Sequence, residues 1–306
     1  MLRAAGIEPV VSPSSDTETV AALIAACDAV ITRDAGLKAR AFAAADRLRV
    51  VVVHGTGHDS VDGHAAAEKG VLVANTPGVN ARSVAELAVG LVVAAARAIP
   101  AADRSVRAGQ SGFRESARFS ELSGKTALVV GWGRIGRDVG RMLHQAFGME
   151  ILVYSPRAPE VDGYNRVTTL AEGLGQADVV SLHTPMRPQN AKLMGREAFA
   201  VVKQGAILVN VARAGLVDEE ALCEALGTGR ISGAALDVYS ENAPAGPLGS
   251  FANVIFTPHL GATTEDALRR VAEAAAGHVV TALSGTMPAT ALNPEVWAGR
   301  AGGADT

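Results

Sequence analysis

Short apolar runs alternate with helical patterns along almost the whole chain. Between residues 126 and 258 these runs are continuous in Val, Ile, Leu and Ala, as is typical of strands buried on both faces. The predicted strands are "EPVV", "DAVIT", "LRVVVV", "GVLVAN", "TALVV", "EILVY", "DVVSLH", "GAILVNVA", "SGAALDV" and "NVIFTP". Helical periodicity marks residues 83–97, 136–146, 218–226 and 264–283. Strands that alternate with helices predict an α/β protein with parallel sheets.

Composition narrows the function classes. The chain has 306 residues, 48% of them hydrophobic and 19% charged, which suits a soluble protein of two domains. Its net charge is −3 and its basic residues are scattered, so no nucleic-acid partner is predicted. The longest apolar runs are about half the length that spans a bilayer, and no membrane association is predicted. Cys27 and Cys223 have no metal-ligand spacing, which predicts no metal site and a cytoplasmic protein.

The segment "TALVVGWGRIGRDVGRML" places a glycine-rich turn between a predicted strand and an amphipathic helix. Gly131 allows the tight turn, Gly133 lets the backbone approach a pyrophosphate, and Gly136 lets the helix pack on the strand. The first N–H groups of the helix then face the phosphates. We interpret the segment as a dinucleotide-binding turn. The alternative is a glycine-rich turn without a ligand.

The next predicted strand runs into "VYSPRAP", where a dinucleotide-binding fold usually carries an acid that binds the adenosine ribose. Ser155 occupies this position and removes the repulsion that an acid exerts on a 2′-phosphate. Arg157 adds a fixed positive charge whose planar fork fits phosphate oxygens, and Arg134 is a second candidate contact. The pattern favours NADP over NAD. In the alternative interpretation Arg157 is a solvated loop residue.

Three later strands are each followed by a polar residue. Arg213 follows "AILVNV", Asp237 follows "SGAAL" and His259 follows "NVIFTP". The carboxyl ends of parallel strands face the ligand crevice, so these side chains are expected near the cofactor. Taken singly, Arg213 could cap a helix, Asp237 could start a turn and His259 could be a buried histidine. Together they predict a carboxylate anchor, a contact on the nicotinamide side and an acid/base.

Six motifs occur in order over nearly the whole chain: "HGTGHDSVD", "NTPGVNARSVAELAVGL", "GWGRIG", "LHTPMRPQN", "NVARAGLVDEEAL" and "TPHLGAT". In these motifs the sequence resembles the D-isomer-specific 2-hydroxyacid dehydrogenase family, which includes D-3-phosphoglycerate dehydrogenases and glyoxylate/hydroxypyruvate reductases. The resemblance implies two doubly wound parallel-sheet domains. A Rossmann nucleotide domain, residues 98–265, is inserted into a flavodoxin-like substrate domain, residues 1–97 and 266–306. The resemblance also implies a homodimer.

The resemblance further implies an oxidoreductase that moves a hydride between a nicotinamide cofactor and a D-2-hydroxy acid/2-oxo acid pair. In such an enzyme Arg213 holds the substrate carboxylate and carbonyl, and His259 exchanges a proton with the new hydroxyl. The implied substrate-binding residues are Gly55, Thr56, Gly57, Asn75, Asn80 and Arg213. The implied cofactor-binding residues are Gly131, Gly133, Arg134, Ile135, Gly136, Ser155, Arg157, His183, Thr184, Pro185, Val211, Asp237, His259 and Gly261.

The sequence departs from the family pattern in three places that bear on the site. The opening strand and most of a helix are absent before "LRAAGIEPVV", so the substrate sheet is expected to lack its usual first strand. Val53 stands where phosphoglycerate dehydrogenases tend to carry an arginine, which weakens phosphate recognition. Asn242 stands in place of the glutamate that pairs with the catalytic histidine, and Glu241, one residue earlier, is the alternative partner.

The leading hypothesis is an NADPH-dependent reductase of a 2-oxo acid such as glyoxylate or hydroxypyruvate. One alternative is a D-3-phosphoglycerate dehydrogenase-like enzyme. The amide at Asn242 suggests another, a formate- or phosphite-type dehydrogenase. A third is a non-catalytic, dinucleotide-sensing protein that resembles corepressors of the same fold and binds peptide partners.

Overall fold

The computed structural model describes residues 1–297, in which helices and strands alternate. The strands are β1 (Ala29–Thr32), β2 (Val50–Val53), β3 (Leu72–Ala74), β4 (Thr126–Val130), β5 (Glu150–Tyr154), β6 (Asn165–Arg166), β7 (Val179–Leu182), β8 (Ala206–Asn210), β9 (Ile231–Leu236) and β10 (Val254–Phe256). The helices are α1 (Thr17–Ile24), α2 (Ala39–Ala43), α3 (Gly63–Glu68), α4 (Ala81–Ala96), α5 (Ile99–Arg107), α6 (Phe113–Ser116), α7 (Arg134–Phe147), α8 (Leu170–Gln176), α9 (Arg196–Val201), α10 (Glu219–Gly227) and α11 (Glu265–Leu283). Short 3₁₀ turns cover Arg3–Ala5, Pro188–Asn190, Ala214–Leu216 and Pro247–Ser250.

The chain divides into two compact units, and the first contains residues 1–80 together with the segment from residue 264 onward. Residues 298–306 of the predicted substrate domain lie outside the described part. The sheet of this unit is parallel in the order β1-β2-β3. Val50 and Val52 pack with α11, whereas Val51 and Val53 pack in the cluster formed with α1 to α3. Because alternate residues of one strand enter opposite layers, the strand is apolar throughout.

The predicted strand "EPVV", residues 8–11, does not form. Pro9 has no N–H to donate to a neighbouring strand, and Val10 and Val11 are 69% and 89% exposed. Within residues 1–297, β1 pairs with β2 alone, so nothing pairs with its other edge. The prediction was wrong because apolar residues form a strand only where a neighbour accepts their hydrogen bonds.

The second unit, residues 81–263, contains a parallel sheet in the order β10-β9-β8-β7-β4-β5-β6. The chain runs outward from β4 through β5 to β6, returns to the other side of β4 and continues to β10. This reversal places a switch point between β4 and β7, where ligands bind in open α/β sheets. Alternate residues such as Leu128 and Val129 enter two separate hydrophobic clusters, one on each face of the sheet. All six strands predicted for this region are confirmed.

Helix α4 packs within the second unit, although the sequence analysis assigned residues 1–97 to the substrate domain. Ala88, Leu91 and Val92 are buried in the same cluster as Val129 and Val209 of the sheet. The boundary between the units therefore falls at 80/81 and 263/264 rather than at 97/98 and 265/266. Among residues 1–297, no single helix has the length and apolar character of a membrane span. The bent pair α4–α5 meets that test only when its two helices are taken together.

Candidate functional site

The glycine turn between β4 and α7 is closed by backbone contacts that only glycine permits. Gly131 has φ +100°, and a Cβ atom there would lie 2.8 Å from the backbone of His183. A Cβ atom on Gly136 would overlap the carbonyl oxygen of Gly131. Gly133 is the N-cap residue of α7 and, as a glycine, carries no side chain that could cap the helix. Arg134 and Ile135 form the first turn of α7, and a helix N-terminus that follows such a glycine turn suits a dinucleotide pyrophosphate.

The side chain of Trp132, a residue of the glycine turn, packs beneath the turn in the protein interior and stabilises it. Its side chain is 4% exposed and its indole N–H donates to the Asp162 carboxylate over 3.0 Å. Arg137 of α7 lies 3.5 Å from the same carboxylate. The indole also fills the space that a side chain at Gly140 would need. Trp132 thus links the turn to α7 and Asp162, a role that sequence reasoning did not assign to it.

The segment after β5 forms a tight turn that carries the predicted 2′-phosphate contacts. The N–H of Ala158 donates to the carbonyl of Ser155 over 3.1 Å, and Arg157 is exposed at the tip. Arg166 of β6 donates to the carbonyls of Ser155 (3.1 Å) and Ala158 (2.8 Å). The structure thus adds Arg166 as a residue that shapes this turn, and sequence reasoning missed it because its partners are backbone atoms.

His183 follows β7, and its imidazole contacts Ser181 of that strand. Its Nε2 and the Ser181 hydroxyl are 2.8 Å apart and share a hydrogen bond. The residue as a whole is half-buried, but its Nδ1 is inaccessible to solvent and has no partner among the described residues. Burial lowers the pKa of His183 to about 3, so the imidazole is neutral at pH 7. Thr184 is half-buried and Pro185 is exposed at the strand end, and Asn190 donates to the Pro185 carbonyl.

Arg213 follows β8 on a turn that Asn210 organises. The fully buried Asn210 side chain donates to the Arg213 carbonyl over 2.9 Å and accepts from the N–H of Ala212 over 3.0 Å. The Arg213 guanidinium donates to the Ala212 carbonyl over 2.7 Å. Val211 is buried beside this turn. The backbone that presents Arg213 is thus fixed by one buried amide, which the sequence analysis did not single out.

His259 follows β10 on a turn that Asp237, at the end of β9, holds in place. The Asp237 carboxylate accepts hydrogen bonds from the Thr257 hydroxyl (2.6 Å) and from the N–H groups of Leu260 (2.7 Å) and Gly261 (3.0 Å). Asp237 is 2% exposed, whereas His259 is exposed and has φ +53°. The N–H of His259 itself donates to the Asp237 carbonyl over 3.1 Å. Asp237, predicted as a nicotinamide contact, therefore fixes the turn of the predicted acid/base.

Glu241 and Asn242 lie in an exposed turn after β9. The carbonyl of Asn242 accepts from the N–H of Gly246 over 2.8 Å, which closes the turn. Glu219 of α10 accepts from the N–H and hydroxyl of Ser240, the residue just before this pair. In the described part of the chain, neither side chain of the pair is hydrogen-bonded to His259. Both remain predicted partners of that histidine.

In the first unit, the predicted substrate loop at residues 55–57 follows β2. The N–H of Gly55 is already used, because it donates to the Thr76 hydroxyl and to the Val53 carbonyl, each over 2.9 Å. Asn75, 6% exposed, donates its amide to the Thr56 carbonyl over 2.7 Å. Within residues 1–297, no hydrogen bond engages the N–H groups of Thr56 or Gly57. Of the N–H groups predicted to bind the substrate carboxylate at residues 55–57, those of Thr56 and Gly57 remain as candidates.

The remaining predicted residue of this unit, Asn80, is 8% exposed at the end of the segment that follows β3. Val53, at the position that the sequence analysis compared with an arginine, is 2% exposed and belongs to the apolar cluster under the sheet. In residues 1–297, no group of three His, Cys, Asp or Glu side chains is arranged to hold a metal ion.

Comparison with known proteins agrees with this arrangement. Residues 89–261 match the family model for the NAD-binding domain of D-isomer specific 2-hydroxyacid dehydrogenases. The chain is 42% identical over 254 residues to a D-3-phosphoglycerate dehydrogenase of Methanocaldococcus jannaschii, covering 81% of this chain and 48% of that protein. It is 40% identical over 290 residues to the human D-3-phosphoglycerate dehydrogenase, covering 93% and 54%. The chain thus spans about half the length of these curated relatives.

Among solved structures, a protein from Thermus thermophilus superimposes with a TM-score of 0.86. The two chains are 34% identical, and the match covers 95% of this chain and 94% of the other. The shared fold therefore extends well beyond the region that the family model matches. The chain belongs to the D-isomer specific 2-hydroxyacid dehydrogenase family.

Proposed function

We propose that this protein is an NADPH-preferring reductase of small 2-oxo acids of the glyoxylate or hydroxypyruvate type. The observation that carries the proposal is the position of three polar side chains. Arg213, Asp237 and His259 follow β8, β9 and β10, which are adjacent in the sheet. They stand at the same sheet edge as the glycine turn after β4, where a dinucleotide binds.

The proposed mechanism assigns two tasks to the second unit. The Arg213 guanidinium binds the carboxylate and the carbonyl oxygen of the oxo acid with a planar, two-point grip, which reduces the entropy cost of alignment. His259, held by the Asp237 turn, gives a proton to the carbonyl oxygen as it becomes a hydroxyl. When bound, the nicotinamide cofactor supplies the hydride. The turn at Gly131–Gly136 and the N-terminus of α7 hold its pyrophosphate.

The first unit supplies a grip for the carboxylate in this proposal. The N–H groups of Thr56 and Gly57 are the two donors of the substrate loop that no other group in residues 1–297 uses. Two N–H groups that point at one anion form a recurrent concave anion site. Asn75 supports this loop, and Asn80 lies at the end of the following segment.

The cofactor preference rests on the turn after β5. Ser155 presents no negative charge to a 2′-phosphate, and Arg157 is exposed next to it. Arg166 ties the carbonyls of Ser155 and Ala158 together, so the turn that presents Arg157 is preorganised. The family model that matches this chain is described as NAD-binding, and NAD is therefore the competing cofactor.

A second candidate substrate is D-3-phosphoglycerate, because the relatives with 40–42% identity are named D-3-phosphoglycerate dehydrogenases. Val53 argues against it. This side chain is 2% exposed within an apolar cluster and brings no cation to the loop at residues 55–57. A phosphate group on the substrate would need such a charge for tight binding.

The deciding experiment is a substrate panel measured as kcat/KM. Glyoxylate, hydroxypyruvate and pyruvate are reduced with NADPH and with NADH, and D-3-phosphoglycerate, formate and phosphite are tested as donors in the reverse direction. Arg213→Lys keeps the charge but loses the two-point grip, so most activity should vanish. Arg230→Lys is the matched control, because Arg230 donates to the Val202 carbonyl away from the proposed site. Cofactor binding without any turnover would instead support the non-catalytic alternative.

The proposed setting is a homodimer in the cytoplasm. Ile99, Val106 and Phe119 are 50%, 77% and 41% exposed along and after α5, and a second copy of the chain would cover such an apolar surface. A cavity of about 900 Å³ lies next to them in the same unit. Cys27 and Cys223 are free thiols, as suits a reducing compartment. Sedimentation of the protein at micromolar concentration should show a dimer, which Val106→Asp should weaken, and a monomeric parent would exclude this assembly.

A further inference from the structure

A continuous chain of hydrogen bonds in the first unit leads from α11 to the loop at residues 55–57. The Thr290 hydroxyl donates to the Asn75 carbonyl over 2.7 Å, and the Asn75 amide donates to the Thr56 carbonyl over 2.7 Å. His278 of α11 completes the chain, with Nε2 3.2 Å from the Thr290 hydroxyl oxygen. The Thr290 hydroxyl has one proton, which it donates in its hydrogen bond to the Asn75 carbonyl. His278 must therefore donate its Nε2–H to the Thr290 oxygen.

The interior members of this hydrogen-bonded chain are partly or fully buried, whereas Thr56 at its end is exposed. Asn75 is 6% exposed, and His278 and Thr290 are half-buried. Burial lowers the pKa of His278, so its imidazole is neutral near pH 7 and acts as a single donor at Nε2. The C-terminal segment that carries Thr290 is itself fixed to β3, because Leu292 donates to the Val73 carbonyl and the Asn293 side chain accepts from the Val73 N–H, each over 2.7 Å.

Because the peptide bond is planar, anchoring the Thr56 carbonyl also orients the N–H of Gly57. In a planar trans peptide the carbonyl and the N–H of the same unit point in opposite directions. Asn75 holds the Thr56 carbonyl, and this fixes the direction of the Gly57 N–H on the other side of the plane. If the peptide between Thr56 and Gly57 turned over, a carbonyl oxygen would face the place of the N–H. Glycine at position 57 offers little steric resistance to such a flip.

We propose that Thr290 and His278 are positioning residues that, through Asn75, keep the Thr56–Gly57 peptide in the orientation that binds a substrate carboxylate. Neither residue touches the substrate. The inference rests on the proposed function, in which this loop grips the carboxylate. Loss of these hydrogen bonds should weaken binding of the oxo acid, because the Thr56–Gly57 peptide could then reverse. A carbonyl oxygen repels the anion that an N–H attracts. Cofactor binding, which uses the second unit, should not change.

The test compares four variants of the full chain with the parent. Thr290→Val removes the hydroxyl at nearly constant shape, and Thr290→Ser retains it. His278→Leu removes the Nε2 donor, and His278→Gln restores an N–H at that place. Thr290→Val and His278→Leu should raise KM for the oxo acid about ten-fold, with kcat and the KM for NADPH within two-fold of the parent. Thr290→Ser and His278→Gln should stay near the parent.

Thr281→Val is the matched control, because Thr281 lies on α11 one turn after His278 and its hydroxyl donates to the Gly277 carbonyl of that helix, over 2.9 Å. Equal losses in Thr290→Val and Thr281→Val, or a fall in kcat without a change in KM, would show a general structural effect and overturn the proposal. The melting temperature of each variant identifies any that fail to fold, and the two independent positions keep the test decisive if one of them does.

Amide hydrogen exchange at His54 and Gly55, whose N–H groups are hydrogen-bonded next to Thr56, provides a readout that needs no turnover. It should accelerate in Thr290→Val and His278→Leu and stay at the parent rate in the two retaining variants. If no 2-oxo acid is reduced by the parent, the proposed function fails, while the exchange rates still test whether the chain orders the loop. Unchanged exchange in both disrupting variants would overturn the positioning role whatever the substrate is.

Discussion

Asp237 holds His259 in a left-handed backbone conformation. The carboxylate is hydrogen-bonded to groups on both sides of the histidine, at Thr257 and at Leu260 and Gly261. A non-glycine residue rarely adopts φ +53°, and here three hydrogen bonds from one buried side chain compensate for the strain. The proposed proton donor thus owes its position to a residue on the neighbouring strand.

Asp237→Asn should therefore impair both stability and catalysis. The amide keeps the shape but replaces one acceptor oxygen by an NH₂ group, which would face a backbone N–H or the Thr257 hydroxyl. Leaving such a buried donor without an acceptor costs about 1–3 kcal/mol of the free energy of unfolding. The urea concentration at the midpoint of unfolding and the kcat should both fall. Thr257→Val removes one of the three bonds and should show a smaller loss, and equal values for Asp237→Asn and the parent would contradict this role.

His259→Gly should separate stability from activity. Glycine tolerates φ +53° without strain, so the free energy of unfolding should stay the same or rise by up to about 1 kcal/mol. Reductase activity should nevertheless fall by at least about a hundred-fold, because the proton donor is gone. Thermal unfolding and kcat measured on the same preparation check both statements. Retained activity would remove His259 from the mechanism.

The cofactor preference should reverse when the charge after β5 is changed. Arg157→Ala should raise KM for NADPH by about ten-fold or more and leave that for NADH nearly unchanged, because only NADPH loses a charge-assisted phosphate contact. Ser155→Asp should shift the preference toward NADH. Arg141→Ala, on the surface of α7, serves as the control arginine. Equal effects of Arg157→Ala on the two cofactors would show that this arginine does not read the 2′-phosphate.

The partner of His259 can be identified by two substitutions. If the side chain at position 242 faces the histidine, Asn242→Glu should move the pH at which reductase activity falls to a higher value, because a carboxylate favours a protonated imidazole. If Glu241 is the partner instead, Glu241→Gln should move that pH downward and Asn242→Glu should have little effect. The pH profile of kcat/KM for the parent and both variants decides between them. Three superimposable profiles would exclude both side chains.

His183 should make the protein less stable in acid. Its pKa is lowered to about 3 by burial, whereas an unfolded histidine titrates near 6.5. Between these values the unfolded chain binds a proton that the folded one does not, so stability is lost as the pH falls from about 6.5 toward 3, by about 1.4 kcal/mol per pH unit. His183→Gln should reduce this slope relative to the parent.

The sheet of the second unit was predictable because its strands are buried on both faces and are therefore apolar without interruption, as in residues 206–210. The glycine turn was predictable because its spacing reflects close backbone contacts that exclude a Cβ atom at Gly131 and Gly136. Arg213, Asp237 and His259 were expected to lie near one another because they follow parallel strands, and β8, β9 and β10 are indeed neighbours in the sheet; their roles remain predictions.

Other features depend on partners that the sequence does not specify. The apolar face of α4 fits either sheet by pattern alone, and only packing against Val129 and Val209 assigns it to the second unit. Asn210, Arg166 and Thr290 act on backbone carbonyls, and a carbonyl is present at every position, so no residue pattern marks the contact. The role of Asp237 in the His259 turn was missed because its hydrogen-bond partners, at positions 257–261, are distant along the chain. Its predicted contact with the nicotinamide stays a prediction.

The burial of Trp132 gives the glycine turn its own spectroscopic signal. The chain has two tryptophans, and Trp297 packs in the cluster of the first unit whereas Trp132 lies in the second. In Trp297→Phe, all tryptophan emission would come from the dinucleotide turn, with Tyr164 in edge contact at 5.5 Å. Fluorescence of that variant would follow cofactor binding and unfolding of the second unit alone, and Trp132→Phe would do the same for the first. Each half of the chain can thus be observed separately without an added label.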